Sequence, residues 1–318
     1  MARAMRPSDV AALSVLRRGS AWPEVTALTW PKCAPENRQP TFPGLMSEVV
    51  VARAHRRLGV ATAGGRLQGF VSSHGRAAGL VWDVDYLRCH DVSSATELLM
   101  WACDQALRAR ARRVFVETPP EGTGAEAARR AGFERYSFGA VLRVERGFPR
   151  VTTDVLGARP RLSSDEHGLF QLYSAAVPAN VRWAEAMTQE EWAALYPGRK
   201  LWTPSVFGDR DDYVWEMSSR LIGWMRVVFG QKSQLLDMLV HPLYDAYADR
   251  MVAHALVQMS PKVPVVASMR EYQGGALSAL ERAGFHRIGT YVAWVRQLAT
   301  RVEQPSVGAI RAPATPSV

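Results

Sequence analysis

The stretch ARRAGFER at residues 128–135 recurs as LERAGFHR at residues 280–287, an offset of 152 residues. In each copy a segment with helical apolar spacing ends at the glycine, and a strand-like segment follows the phenylalanine. Further upstream, LQGFV at residues 67–71 is matched by LIGWM at residues 221–225, an offset of 154 residues. Two matches at nearly the same offset predict a duplicated domain, because chance similarity would not keep its register.

The length of the chain agrees with a duplication. Its 318 residues suit two units of roughly 150 residues each. We predict an N-terminal domain at residues 1–148 and a C-terminal domain at residues 149–301, joined by a linker that contains Gly and Pro. Residues 302–318 contain three Pro and no apolar periodicity, which predicts a disordered tail.

Composition and cysteine usage indicate an ordinary globular protein. Hydrophobic residues make up 47% of the chain and charged residues 22%, which is enough apolar material for two cores. No apolar run approaches the roughly 18 residues that a membrane span needs, and residues 1–22 lack the apolar segment of a secretory signal. The three Cys form no C-x-x-C pair, so we expect reduced thiols and a cytoplasmic protein.

The chain is basic, with a net charge of +9 and a pI of about 9.8. Such a charge permits an anionic partner. Only four of the 39 basic residues are Lys, however, and a bias toward Arg and Ala is typical of a GC-rich genome. The charge therefore does not by itself favour nucleic-acid binding, and the sequence does not indicate an oligomeric state.

Each half reads as helices followed by strands, then a helix, a strand, a helix and a last strand. This order predicts an α/β fold with a mixed sheet. Gly64-Gly65 predicts the turn of a hairpin in the first half, and Ser218-Ser219 falls at the turn of a hairpin in the second. SATE at residues 94–97 and TQEE at residues 188–191 have the capping-box pattern of a helix start.

The segment DMLVHPLY at residues 237–244 and the Ala-Gly-Phe entry into each last strand carry a family resemblance. The chain resembles the GNAT acetyltransferase superfamily, whose central strand runs through Val-x-Pro into a cofactor loop. The resemblance covers most of the chain and implies two GNAT-like domains in tandem. It further implies acetyl-CoA or another acyl-CoA as cofactor and a small-molecule amine as substrate.

In that superfamily an Arg/Gln-x-x-Gly-x-Gly/Ala loop leads into a helix whose N–H groups face the pyrophosphate. The matching stretch here is DAYADR at residues 245–250, where Asp245 replaces the Arg or Gln, Ala248 the first Gly and Arg250 the final small residue. The first copy, VSSATE at residues 92–97, has no Gly, and Glu97 would itself reach the helix start. Plain helix capping without a phosphate is therefore the alternative in both copies. The resemblance assigns cofactor contacts to Leu239, Val240, Tyr247, Ala248, Arg250 and Gln273.

Candidate catalytic groups are acids on the central strands, because such acids serve as the general base for an amine. Asp237 is the candidate in the second half. Asp83 and Asp85 are the candidates in the first, where an i, i+2 spacing places both on one strand face; an Arg-paired face is the alternative. The family's proton-donating Tyr is replaced by Ala128 and Leu280, so no acid is assigned to the leaving thiolate.

Other sequence patterns give weaker indications of function. The seven His have no metal-ligand spacing with Cys or acids, so no metal site is predicted. Cys, His and Asp, the residue types of a nucleophilic triad, occur at residues 89–91. Residues adjacent in sequence, however, rarely form a catalytic triad. Aromatic residues cluster where the family places its substrate-binding helices, and they are either core residues or residues that line a substrate cleft. They are Trp183, Trp192, Tyr196 and Trp202.

Three functions remain open from the sequence. An acyl-CoA-dependent N-acyltransferase is the leading hypothesis, with the second half as the better cofactor site because it keeps Val-His-Pro. In that hypothesis the strand backbone at Leu239 and Val240 polarises the thioester carbonyl. The alternatives are a non-catalytic GNAT-fold binding or scaffold protein and an aminoacyl-tRNA-dependent transferase. The altered cofactor loops favour the first alternative, and no sequence motif selects the second.

Overall fold

The computed structural model describes residues 1–10, 56–76, 79–149, 157–185, 188–195, 210–230 and 233–298. The tail predicted at residues 302–318 lies outside this part of the chain, as do Tyr196 and Trp202. Within it, no helix is both long enough and apolar enough to cross a membrane.

Twelve strands of the described residues form one mixed sheet, to which each half of the chain contributes six. The first half supplies β1 Ala2–Ala4, β2 Arg56–Ala63, β3 Arg66–Arg76, β4 Val81–Cys89, β5 Arg113–Thr118 and β6 Glu134–Val144. The second half supplies β7 Ala158–Pro160, β8 Arg210–Met217, β9 Arg220–Val228, β10 Gln234–Val240, β11 Val265–Arg270 and β12 His286–Gln297. β5 is buried along its whole length, as expected for a strand covered on both faces.

The last strand of each half lies within the other half's part of the sheet. The strand order is β1-β2-β3-β4-β5-β12-β6-β11-β10-β9-β8-β7. β12 pairs antiparallel with β5, β6 pairs antiparallel with β11, and β6 and β12 pair with each other at the centre. The halves therefore exchange their final strands, and the predicted α/β fold with a mixed sheet and a tandem arrangement is confirmed.

Gly139 of β6 allows the exchanged strands to pack closely. It lies opposite Tyr291 of β12 on one side and Arg270 of β11 on the other. A Cβ atom at Gly139 would lie 2.2 Å from the ring of Tyr291, far inside van der Waals contact. Only glycine leaves room for this tyrosine ring at the centre of the sheet.

Gly139→Ala is expected to destabilise the protein by about 1–3 kcal/mol, because the Tyr291 ring must move to accommodate the methyl group. The hydrogen bond between Ser268 Oγ and Tyr291 Oη, 3.0 Å long, would be disturbed as well. Gly289→Ala is the matched control, since nothing lies within 4 Å of a Cβ at this β12 position. Urea unfolding of both variants measures the difference, and equal unfolding free energies would contradict this packing.

Helices cover both faces of the sheet. They are α1 Val92–Arg108, α2 Thr123–Arg130, α3 Glu166–Ala176, α4 Ala179–Glu185, α5 Gln189–Leu195, α6 Ala248–Gln258 and α7 Gly274–Arg282. α1 and α2 share a core with β4 and β5, and α6 and α7 share one with β9, β10 and β11. α3, α4 and α5 pack on the opposite face, because Leu239 of β10 enters their core while Met238 and Val240 enter that of α6 and α7.

Turns and caps follow the local sequence at three places. Gly64-Gly65 has φ angles of 55° and 76° between β2 and β3, and Ser218-Ser219 has 49° and 61° between β8 and β9. The Thr188 hydroxyl accepts from Glu191 N–H at 3.1 Å, and the Glu191 carboxylate accepts from Thr188 N–H at 3.3 Å. Both predicted hairpins and the capping box of α5 are confirmed.

The capping box predicted at residues 94–97 is wrong. α1 begins at Val92, and the Asp91 carboxylate accepts the N–H of Ser94 at 2.8 Å and its hydroxyl at 2.9 Å. A carboxylate satisfies the unpaired N–H donors of the first turn and complements the positive end of the helix dipole. Asp91, rather than Glu97, therefore fills the position where an anion would bind.

The two parallel strand pairs, β4–β5 and β10–β11, are paired only over their first residues. The last pair includes Val84 in the first half and Leu236 in the second. Beyond these points the strands separate and leave an opening at the edge of β4 and of β10. Asp85 and Asp237 are the first residues beyond the last pair, and their offset of 152 residues equals that of the repeat. The duplication thus places a carboxylate at the same point of both halves.

Candidate functional site

A cavity of about 170 Å³ extends from the opening beside β10 across the sheet face under α3, α4 and α5. Charged side chains from both halves line it: Arg76, Asp83, Glu117, Glu185, Arg226, Asp237 and Arg270. The residues predicted from sequence divide into two groups. Those that line the cavity are Asp83, Asp237, Leu239 and Gln273, and those that do not are Asp85, Val240, Tyr247, Ala248 and Arg250.

Asp237 lies in a row of alternating charges that crosses three strands. It is opposite Arg226 of β9, which is in turn opposite Asp212 of β8. The Arg226 guanidinium donates to Asp212 from Nε at 2.6 Å and from Nη2 at 3.1 Å. Asp237 is only 8% exposed, and its Oδ2 has no hydrogen-bond partner among the described residues. A buried carboxylate oxygen in this state needs a ligand or water to complete it.

The pKa of Asp237 is raised to about 7. Burial is the main cause, because it disfavours the charged form of a carboxyl group. Arg226 and the N–H of Met238 act in the opposite direction and reduce the increase. Near neutral pH both protonation states are populated, so this carboxylate can accept and return a proton.

The other two predicted acids are held by cations. Asp85 Oδ2 lies 3.0 Å from Arg56 Nη2 and 3.5 Å from His74 Nδ1. Asp83 Oδ2 accepts from Arg76 Nε at 2.6 Å and lies 4.0 Å from His74 Nε2. The alternative of an Arg-paired face thus describes both acids. The repeat places Asp85 and Asp237 at equivalent points, but only Asp237 reaches the cavity.

Arg270 is held in the cavity by hydrogen bonds and by aromatic rings. Its Nη2 donates to Glu117 Oε1 at 2.9 Å and to Tyr136 Oη at 3.4 Å. Its guanidinium carbon lies 5.5 Å from the ring centre of Tyr136 and 5.3 Å from that of Tyr291. Its Nη1 is buried without a hydrogen-bond partner in the described part of the chain. One donor of a fixed guanidinium is therefore left for a ligand.

Gln273 spans the opening between β10 and β11. Its Oε1 accepts the N–H of Arg270 at 2.9 Å, and its Nε2 donates to the carbonyl of Met238 at 2.7 Å. The side-chain amide thus occupies the place where an amide of an entering molecule would pair with both strands. Gln273 is a predicted cofactor contact, and here it satisfies the strand backbone itself.

The backbone of β10 alternates between β9 and the opening. His241 N–H donates to Ile222 of β9 at 2.8 Å, and the Met238 carbonyl faces Gln273. By this alternation the N–H of Val240 faces the opening and that of Leu239 faces β9. Of the two predicted positions, only Val240 presents an amide to an entering group.

The segment after β10 does not fit a pyrophosphate. It forms a 3₁₀ helix, Pro242–Tyr247, without glycine before α6. The Asp245 side chain packs against Gly275, where an added Cβ would lie 2.5 Å from its Cγ, so a carboxylate already lies at the start of α7. Asp249 adds a second carboxylate in the first turn of α6. Two negative charges and a backbone without glycine leave no site where N–H groups could bind a dianion.

The remaining predicted cofactor residues are structural. Ala248, the first residue of α6, is fully buried. Tyr247 packs edge-on against Tyr244, and the exposed Arg250 places its guanidinium carbon 5.3 Å from the Tyr247 ring centre. These contacts hold the 3₁₀ helix against α6, away from the cavity.

α5 closes one side of the cavity through Trp192, which is 1% exposed and lies edge-on to Trp224. The helix is tied to the first half by Arg113 of β5, whose Nη2 donates to both carboxylate oxygens of Glu191 at 2.9 and 2.8 Å. Trp183 of α4 is 76% exposed. Of the aromatic residues predicted as core or cleft, Trp192 is both.

Two sets of residues that the sequence analysis considered cannot take part in catalysis. Burial raises the pKa of the Cys89 thiol to about 12, and Asp91 is committed to capping α1, so residues 89–91 form no triad. Ala128 and Leu280, at the family's tyrosine positions, are buried in the two cores.

Sequence reasoning did not select Arg226, Arg270 or Glu117. A signal was present, because each is a charged residue in a strand of which at least half the residues are apolar. Charged residues are almost never buried unless they are paired. The identity of their partners, however, depends on strands that are distant in sequence.

Comparison with solved structures bears on the fold. A GCN5-related N-acetyltransferase from Sphaerobacter thermophilus matches 93% of this chain and 95% of its own, at 16% identity and a TM-score of 0.55. A functionally unknown conserved protein from Staphylococcus epidermidis matches 75% of this chain and 93% of its own, at 13% identity and a TM-score of 0.50. A tandem GNAT protein from the clavulanic acid biosynthesis pathway matches 93% of this chain and 98% of its own, at 17% identity and a TM-score of 0.49.

No protein-family model matches the chain, and no curated protein matches it in sequence. The match to the Sphaerobacter thermophilus protein extends over both halves. The resemblance to the GNAT superfamily is therefore confirmed at the level of the fold. Function must be argued from the site, because one fold serves many functions.

Proposed function

We propose that this protein is an N-acyltransferase that moves an acyl group from a thioester to a small-molecule amine. One observation carries the proposal. Asp237 is a buried carboxylate with a pKa of about 7, and its Oδ2 lacks a partner within the described residues. It lines the cavity at the strand opening, where an amine and an acyl group can meet.

Asp237 serves as general base in this proposal. The amine nitrogen attacks the carbonyl carbon of the thioester, forming a C–N bond while the C–S bond breaks and the sulfur leaves as thiolate. The amine binds as an ammonium, so its nitrogen loses two protons: one passes to Asp237 before the attack, and the other is released to solvent after the C–N bond has formed. A base with a pKa close to the working pH is largely ionised and still basic enough to take a proton, which is the optimum for this role.

Val240 supports the other reactant. Its N–H faces the opening by the alternation of β10, so it can donate to the carbonyl oxygen as negative charge develops there. The Leu239 side chain lines the cavity and limits access of water to the reacting atoms. No group is assigned to protonate the thiolate, since Ala128 and Leu280 cannot do so.

The donor implied by the fold is acetyl-CoA or another acyl-CoA, which would supply the activated acyl group. The carboxylates of Asp245 and Asp249 do not fit its pyrophosphate, so no step is assigned to coenzyme A. We propose instead that the donor is recognised through its acyl and thioester end. The side chain of Gln273 must then turn away and release the Met238 carbonyl and the Arg270 N–H.

The test is transfer from acetyl-CoA and from S-acetyl-N-acetylcysteamine, a short thioester, to a panel of primary amines between pH 5 and 9. We expect kcat/KM to rise to a plateau with an apparent pKa near 7, because the Asp237 carboxylate must be ionised. Asp237→Asn should lower the rate by about 10²–10⁴ and remove this pH dependence. The two donors should have similar KM values, because the pyrophosphate finds no cradle.

The matched control is Asp104→Asn, an exposed acid on α1, which should keep the wild-type rate and pH profile. An Asp237→Asn variant as fast as wild type, or a profile without an inflection near pH 7, would refute the assignment of the base.

A non-catalytic binding protein is the second candidate, and Gln273 is the observation that favours it. Its amide completes the backbone hydrogen bonds of both strands at the opening, as a permanent closure would. Absence of transfer from either donor to every amine, by protein that remains folded, would favour this candidate over the first.

A further inference from the structure

We infer that the ligand of the cavity is an α-amino acid in its zwitterionic form, with its amine at Asp237 and its carboxylate at Arg270. The inference deepens the proposed function and rests on it in one respect, namely that Asp237 receives the amine. It names the substrate class of that site.

Two buried polar atoms of opposite character lack partners in the same cavity. Asp237 Oδ2 can only accept when ionised, and Arg270 Nη1 can only donate; neither has a hydrogen-bond partner among the residues described. Leaving a buried donor or acceptor unsatisfied costs about 1–3 kcal/mol, and more for a charged group. A single ligand that carries both an ammonium and a carboxylate satisfies both atoms.

The sheet places these two groups side by side. Leu236 of β10 is level with Ala267 of β11, so Asp237 is one position and Arg270 three positions beyond the last parallel pair. Both point toward the face covered by α3, α4 and α5, because both line the cavity there. For paired strands about 4.8 Å apart with a rise of about 3.3 Å per residue, this offset gives a Cα separation on the order of 8 Å, and the separation of β10 from β11 widens it. The gap leaves room for the head group of one amino acid between the two side chains.

Arg270 is arranged to recognise a carboxylate. Glu117 and Tyr136 hold its Nη2, and the rings of Tyr136 and Tyr291 flank the guanidinium. A guanidinium fixed in this way loses little freedom on binding, and its Nη1 can donate a charge-assisted hydrogen bond to a carboxylate. Glu117 already balances the charge of Arg270, and a zwitterion adds no net charge to the cavity. A ligand with only one of the two charged groups would leave either Asp237 Oδ2 or Arg270 Nη1 without a hydrogen bond.

The size and walls of the cavity set the rest of the ligand. Its volume of about 170 Å³ is close to the ~150 Å³ of an engineered cavity that holds benzene. It is smaller than the ~300 Å³ at which sites for drug-sized ligands begin. Apolar walls come from Val177, Trp192, Trp224 and Leu239. A single amino acid with an apolar or aromatic side chain fits these limits, and a nucleotide or a peptide does not.

The experiment is calorimetric titration of the full chain with each of the twenty common L-amino acids at pH 8. The tightest binder is then compared with the amine that lacks its carboxylate and with the acid that lacks its amine. We expect at least one apolar or aromatic amino acid to bind, and each truncated analogue to bind about tenfold or more weakly, because a charge-assisted hydrogen bond is lost.

Two variants locate the contacts. Arg270→Lys keeps the charge beside Glu117 but loses the fixed Nη1 donor, and should weaken binding of the amino acid about tenfold while leaving that of the decarboxylated amine unchanged. Arg282→Lys, in an exposed ion pair with Asp249, is the control and should change neither affinity. Thermal unfolding establishes that both variants are folded.

The outcomes separate this inference from the proposed function. If none of the twenty amino acids binds, or if the decarboxylated amine binds as tightly as its parent, the inference is overturned, whereas transfer to another amine would still support an acyltransferase. If an amino acid binds with the expected dependence on Arg270 but no donor acylates it or any other amine, the ligand site stands and the proposed function fails.

Discussion

Asp237→Asn is expected to stabilise the folded protein at pH 8 while it removes the transfer activity. The reason is the cost of an ionised carboxylate at a buried position. The folded-state pKa of Asp237 is about 7, against an ordinary value of 3.8. A residue retained at a cost in stability is typical of a functional site.

The direction of the pH dependence follows from this increase. Because the folded pKa lies above the unfolded one, the stabilisation by the protonated group is complete below pH 4. It is lost progressively as the pH rises through about 7. A difference of about 3 pKa units corresponds to on the order of 4 kcal/mol at pH 8. Asn does not ionise, so its variant avoids this loss.

Urea unfolding of wild type and Asp237→Asn at pH 4, 6 and 8 measures the effect. The difference in unfolding free energy should grow by several kcal/mol from pH 4 to pH 8, in favour of the variant. For Asp249→Asn, whose carboxylate is exposed, we expect a change within about 1 kcal/mol at every pH. A variant that is less stable than wild type at pH 8 would show that ionised Asp237 is compensated within the fold.

Loss of the ion pair between Arg113 and Glu191 is expected to cost about 3–5 kcal/mol, because the remaining charge would be buried without a partner. The two side chains are 4% and 5% exposed. The pair joins β5 of the first half to α5 of the second, and Glu191 also completes the capping box of α5. Its loss should therefore loosen the helix that carries Trp192 and weaken ligand binding in the cavity.

A double-mutant cycle tests this expectation. Arg113→Met and Glu191→Leu are each expected to be strongly destabilising, and the double variant should recover most of the loss because no charge remains unpaired. Glu281→Gln, which removes an exposed pair with Arg287, is the control and should cost less than about 1 kcal/mol. Single variants no worse than this control would mean that water reaches the Arg113 site.

Much of the architecture was predictable from local patterns. The hairpin turns at Gly64-Gly65 and Ser218-Ser219 and the helix start at Thr188 depend on neighbouring residues, so the sequence alone locates them. The strand β10 ends where the sequence indicates, because its apolar run stops at His241-Pro242. The start of α1 was misplaced because Asp91 caps the helix three residues earlier, so Ser94 lies within the first turn and its N–H donates to the Asp91 carboxylate.

The candidate site was predictable only in part. Asp237 was identified from its position on a central strand, and the structure places it in the cavity. Sequence reasoning gave Asp83 and Asp85 the same standing, with an Arg-paired face as the alternative, and only the structure shows that Arg76 and Arg56 hold them. Nor could sequence reasoning identify Arg270, whose partner Glu117 lies 153 residues away in sequence.

The sequence by itself determined that the chain is a duplication, that each copy is an α/β unit, and that the cofactor loops are altered. These features depend on residues close together in sequence, whose spacing and turn preferences determine local structure. Only the tertiary structure decided that the final strands exchange, that Gly139 leaves room for the ring of Tyr291, and that charged side chains from both halves line one cavity. Strand pairing and ion pairing join residues far apart in sequence, and the free energy of a buried charge depends on which partners the fold brings to it.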